Sequence, residues 1–170
     1  MSKSKIVGIM ALIAFVMGIL LVGDAVAGKE ATESITLGVY STGKVIAFGN
    51  DYMHGSYEGF GVFVGDTGKE MLHGATGRGV GEWQVEKGSY SENGGAVYTL
   101  LNGDKIYGRF FDSGKPGETP KGTTTLLGGT GKCAGIEGSG EYTMQTLVPS
   151  NEGAVPFQGL LKMKFHYKLP

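Results

Sequence analysis

The run Gly128-Gly129-Thr130-Gly131-Lys132-Cys133-Ala134-Gly135-Ile136-Glu137-Gly138-Ser139-Gly140 limits the possible folds more than any other stretch of this chain. Glycine at this density supplies positive-φ turns and close backbone approach, but no side chains for a core. The run lies between two β-rich segments, Thr123–Leu127 and Glu141–Val148. It therefore predicts a tight crossover joining two strands of a curved sheet. It does not spell a phosphate loop. A Walker A loop would need glycine where Leu126 stands and Ser or Thr where Cys133 stands, and glycines 135, 138 and 140 would break the helix that must follow.

After Gly28 no segment holds a capped helical period; short β-rich runs alternate with turn signals instead. The spacing predicts a hairpin of Ile35–Tyr40 with Lys44–Phe48 across Ser41-Thr42-Gly43. A second is predicted for Tyr57–Val64 with Lys69–His73 across Gly65–Gly68. Gly79–Glu86 carries the one tryptophan, and Ser89-Tyr90 leads into a turn at Glu92-Asn93-Gly94-Gly95. Ala96–Leu101 and Asp104–Phe111 flank Asn102-Gly103, a dipeptide that tolerates positive φ at both positions of a tight hairpin. Ser113–Lys121 and Pro149–Pro156 read as loops, and Gly159–Leu169 as the closing strand. Such a pattern is all-β, a sandwich or a barrel.

Gly103-Asp104-Lys105-Ile106-Tyr107-Gly108-Arg109-Phe110, followed by the glycine run, resembles the allene oxide cyclase-like and dirigent-like (calycin-type) barrels over residues 33–168. It also resembles small bacterial secreted proteins of that type. The resemblance implies a single antiparallel β-barrel of about eight strands with a lipocalin-like interior. Barrels of this kind commonly self-associate through their outer surfaces. No catalytic residue of the family carries over to a position of this chain.

The N-terminus has the order of a secretory signal peptide. Lys3 and Lys5 precede the uncharged run Ile6–Val22, and Ala25-Val26-Ala27 offers a small-x-small cleavage site. Residues 1–27 are thus expected to be removed, leaving one exported domain, 28–170, with no stable membrane anchor. Loss of Lys3, Lys5 and Asp24 takes the formal charge from −1 to −2, which disfavours an electrostatic nucleic-acid partner. Cys133 stands alone, so stability rests on packing and sheet closure rather than on an internal disulfide.

Strand alternation nominates an interior. Trp83, Tyr98, Phe110 and Met144 fall on apolar registers and are expected to line any lumen. Tyr107, Arg109 and Glu141 are the candidate polar contacts for a bound molecule. Each lies opposite in register to its apolar neighbours, so facing inward would require a bulge near Gly108 or Gly140. An inward Arg109 would need a carboxylate, with Glu82 and Glu141 as candidates. His54, His73 and His166 show no metal-ligand spacing, and Cys133 reads as a small buried thiol; no metal or cofactor is expected. Ala96–Phe111 looks apolar on both faces, which points to a homo-oligomer, trimer or dimer. Three functional readings stand: a binding protein for a small apolar molecule, an isomerase or cyclase working in the same lumen, and a packed structural module.

Overall fold

Side chains alternate in and out along eight strands that close on themselves. These are β1 Glu30–Ala47, β2 Tyr52–Gly65, β3 Thr76–Glu86, β4 Ser89–Thr99, β5 Lys105–Gly114, β6 Lys121–Gly129, β7 Glu137–Val148 and β8 Ala154–Lys168. This computed structural model describes residues 28–49, 51–115, 118–148 and 154–170; the expected leader, 1–27, and residues 149–153 of the second expected loop lie outside them. Each strand pairs antiparallel with its neighbours in sequence, and β8 pairs with β1, giving a closed all-β barrel. Closure gives every strand a partner on both sides, so among the described residues the sheet has no free edge strand.

A circuit of directly paired residues runs Val45, Gly55, Trp83, Glu92, Asp112, Gly122, Tyr142, Met163 and returns to β1 at Ile35, not Val45. That stagger tilts the strands and widens the barrel to a bore that side chains can fill or that can hold one small ligand. Many of the inward positions are glycine. Gly55, Gly59 and Gly61 on β2 and Gly77, Gly79 and Gly81 on β3 contribute no side chain to the interior.

One end of the bore is plugged. Ile35, Phe63, Tyr98, Ile106, Leu126, Phe165 and Tyr167 pack there, with Leu72 and Ala75 from the β2–β3 loop and Cys133 and Ile136 from the β6–β7 connection. Tyr98 meets Phe63 edge-on at 5.1 Å and Phe165 at 6.4 Å, the offset geometry that aromatic quadrupoles favour. The β2–β3 loop is fixed by two carboxylates. Glu70 accepts from the Thr67 N–H at 2.8 Å and the Lys69 N–H at 3.0 Å. Glu33 of β1 accepts from the Met71 N–H at 2.9 Å and the Tyr167 hydroxyl at 2.7 Å.

Several turns differ from expectation. β1 runs straight through Ser41-Thr42-Gly43, where Ser41 is buried and Gly43 lies against Tyr57 of β2. β4 likewise runs through Glu92–Gly95, and the hairpin before it turns at Lys87-Gly88, both with positive φ (47° and 75°). Lys69–His73 forms turns rather than a strand. The Asn102-Gly103 hairpin forms where expected, but only Gly103 has positive φ; the Gly103 N–H bonds the Leu100 carbonyl at 2.9 Å. The glycine run is no crossover. It joins the adjacent strands β6 and β7 through a single 3-10 turn, Gly131–Cys133.

Candidate ligand-binding lumen

The other end of the bore is open, and a cavity of about 700 Å³ extends inward from it. This lies within the size range of small-molecule sites. Val45, Val85, Tyr90, Lys115 and Phe157 border the mouth, and Leu37, Val39, Ala96, Phe110, Leu161 and Met163 form the walls further in. The upper half of the barrel is therefore hollow, while the lower half is packed.

The two carboxyl groups of the cavity wall, Glu92 and Asp112, lie at one height. Trp83, Glu92 and Asp112 are direct cross-strand neighbours on β3, β4 and β5, all facing inward. Glu92 accepts hydrogen bonds from two hydroxyls, Tyr57 of β2 on Oε1 and Tyr90 of its own strand on Oε2. Asp112 accepts one on Oδ2 from the Tyr142 hydroxyl at 2.8 Å. Its Oδ1 is buried and has no hydrogen-bond partner among the described residues, and the residue as a whole is only 2% exposed. Such an atom forfeits the full desolvation of a polar group.

Missing β-carbons allow this network to form. Tyr142 reaches Asp112 from two strands away by laying its ring over Gly122 of the intervening β6, where a side chain would overlap the ring. Tyr57 crosses β3 in the same way, its hydroxyl 2.8 Å from where a β-carbon of Gly81 would stand.

Two acids on adjacent strands shift one another. Burial, with the Glu92 charge adding to it, pushes the Asp112 carboxyl up to about 7, against the lowering effect of the Tyr142 bond and of the nearby Tyr90 hydroxyl. Burial likewise holds Glu92 above the usual carboxylate range, opposed by its two tyrosine donors. Tyr57, Tyr90 and Tyr142 are all raised, first by burial and then by the carboxylates they face. The phenols thus remain donors and the acids their acceptors. Among the described residues, the basic side chains bordering the cavity are Lys44, Arg78 and Lys115, all exposed. Arg78 is held on the outer surface by Glu58 at 2.6 Å.

Of the residues nominated by sequence, Trp83, Tyr98, Phe110 and Met144 line the cavity. Tyr107, Arg109 and Glu141 lie on the outer face, exposed to solvent. A bulge does occur beside Gly108, but the extra residue is Leu127 of β6, so the alternation of β5 is intact and Arg109 stays outside. Neither Glu82 nor Glu141 is within ion-pair distance of Arg109; Glu82 instead lies 3.9 Å from His54. Cys133 is buried, and burial raises its thiol. Glu92 was hidden in sequence by the apparent turn at Glu92–Gly95, and Asp112 by the apparent end of its strand at Phe111. One signal could have found Asp112: it continues the inward series Ile106, Gly108, Phe110.

No family model and no curated protein matches this chain. Among solved structures it is similar to the pterocarpan synthase dirigent protein GePTS1, at 11% identity and a TM-score of 0.46, covering 87% of this chain and 98% of that one. It is more distantly similar to the enduracididine biosynthesis enzyme MppR, at 5% identity and a TM-score of 0.25, covering 87% of this chain and 89% of that one.

Proposed function

We propose that this is an exported binding protein whose barrel holds one small, largely apolar molecule. The observation that carries this reading is the open cavity, with largely apolar walls and a tier of hydrogen-bonded carboxyl groups. The leader-like N-terminus supports export, and adjacent exposed side chains on the outer face, Tyr40 paired with Phe60 and then Val62 and Val64, support a homo-oligomer. The test is mass spectrometry of small molecules co-purifying with the mature protein, joined to displacement of an environment-sensitive apolar dye. A dye that stays free and a preparation without any bound organic molecule would overturn the reading.

One observation favours a second reading, an isomerase or cyclase acting in the same lumen. A carboxyl poised near neutrality beside a tyrosine donor is suited to general acid–base work, and confinement lowers the entropic barrier to ring closure. If it holds, Asp112→Asn abolishes turnover of the co-purifying molecule while leaving its binding within a few-fold. Equal turnover by the variant would exclude Asp112 from the chemistry.

A further inference from the structure

We propose that the lumen selects an organic cation, an amine carried on an apolar body, over neutral and anionic molecules of the same shape. This rests on the binding reading and adds the chemistry of the ligand's head group. Two carboxyl groups face each other across β4 and β5 inside an apolar bore, and among the described residues no basic side chain pairs with them. The tyrosine hydroxyls of Tyr57, Tyr90 and Tyr142 satisfy three of the four carboxyl oxygens but supply no positive charge. The fourth, Asp112 Oδ1, is buried without a partner on the cavity wall.

Desolvated acids without a counter-ion are unfavourable, and a cation that enters with its own donors removes that cost. An ammonium carries three N–H donors and no acceptor, which matches a site holding a free acceptor. Trp83 supports the same choice. It is the direct neighbour of Glu92 in the tier and lines the cavity, and an indole face beside a carboxylate attracts a cation through both its quadrupole and the adjacent charge. The tier lies on the mouth side of the bore. On β4 the inward order is Tyr90, Glu92, Ala96, Tyr98, and on β5 it is Asp112, Phe110, Ile106, moving toward the plugged end. A ligand would accordingly seat its ammonium at the Trp83–Glu92–Asp112 tier, with its apolar body directed inward to Ala96, Phe110 and Leu161. An anion at the same height would meet two carboxylates, with the phenols and the Trp83 indole N–H as neutral donors.

The test uses three probes of one shape, 4-phenylbutylamine, 4-phenylbutanol and 4-phenylbutyrate, titrated into the mature protein at pH 8. Binding is followed by the fluorescence of the one tryptophan, Trp83, and by calorimetry. The amine is expected to bind about tenfold or more tighter than the alcohol, with the carboxylate weakest. In the Glu92→Gln, Asp112→Asn double variant the amine's advantage should fall to within a few-fold of unity while the alcohol's affinity holds. Asp112→Asn alone, which keeps an acceptor for Tyr142, serves as the second variant if the double one does not fold; it should lose part of the advantage. An alcohol that binds as tightly as the amine would overturn the cation inference and leave the binding reading standing. An amine advantage that survives both substitutions would overturn it equally. Failure of all three probes to perturb Trp83 or release heat would count against both.

Discussion

Asp112→Asn should make the protein more stable at neutral and alkaline pH, and the size of the gain follows from the environment of one carboxyl. In the unfolded chain Asp112 ionises near its ordinary 3.8, whereas in the barrel burial and the Glu92 charge push it up to about 7. The folded pKa is the higher one, so the folded state holds a proton that the unfolded state has lost between these two values. Stability must then fall as pH rises through this window, by about 1.4 kcal/mol per pH unit. Above 7 both states are ionised and the penalty stays constant at about 4 kcal/mol. Below about pH 4 it vanishes. Asparagine keeps an oxygen for the Tyr142 hydroxyl but never ionises, so wild type and variant should agree near pH 4 and diverge to several kcal/mol by pH 8. Other groups that differ between the folded and unfolded states, such as Glu70 with its carboxyl lowered to about 2, are carried by both proteins and cancel to first order in the difference. Urea denaturation at intervals from pH 4 to 9, followed by Trp83 fluorescence, measures it. A difference that is the same at pH 4 and pH 8, or that grows toward acid, would refute the reasoning.

Other outcomes follow from the same geometry. Gly122→Ala, whose methyl would overlap the Tyr142 ring, should cost about 1–3 kcal/mol in denaturant titrations, whereas Gly95→Ala, with its nearest neighbour at 3.8 Å, should cost far less. Trp83→Ala should cost less than about 3 kcal/mol, below the range for a fully buried tryptophan, because its ring rests on Gly55 on one side and faces open cavity on the other; calorimetric melting tests this. Edman sequencing of exported protein should begin at Gly28, and a start at Met1 or Ser2 would contradict the proposed leader. Light scattering at micromolar concentration should give a mass above that of one chain, and Phe60→Glu on the outer face should lower it toward the monomer.

The strands were legible in sequence and many of the turns were not, for one physical reason. Glycine at a turn and glycine under an aromatic ring look alike in a linear reading. Gly43 and Gly94 suggested hairpin turns; in the barrel they are inward strand positions lying against Tyr57 and Phe110. The distinguishing mark is spacing. Gly77, Gly79 and Gly81 recur every second residue, the period of one face of a strand, which no turn requires. Trp83, Phe110 and Met144 were found because apolar alternation survives such ambiguity. Glu92 escapes such a reading because it falls in an apparent turn, and Asp112 because it falls just past the apparent end of its strand. Arg109 alternates with large apolar residues as a buried charge would, yet it is exposed, and the carboxyl groups of the interior wall among the described residues are those of Glu92 and Asp112, sited by their neighbours' missing side chains rather than by any motif.

The glycines and the acids belong to one device. An inward tyrosine ordinarily packs against the adjacent strand; here Gly122 and Gly81 let two of them pass over that strand and deliver hydroxyls to β5 and β4 from opposite directions. The device serves the two acids unequally. Glu92 receives two donors and Asp112 receives one, although the two stand side by side. A network evolved only for stability would gain from a further hydroxyl at Asp112 Oδ1, or from an apolar residue in place of the acid, since a half-satisfied buried network is worse than an apolar core. Retaining the acid, leaving one of its oxygens open and lining the bore with residues too small to fill it are three costs to the empty barrel. All three would be relieved by the same event, entry of a molecule that fills the space and donates to that oxygen.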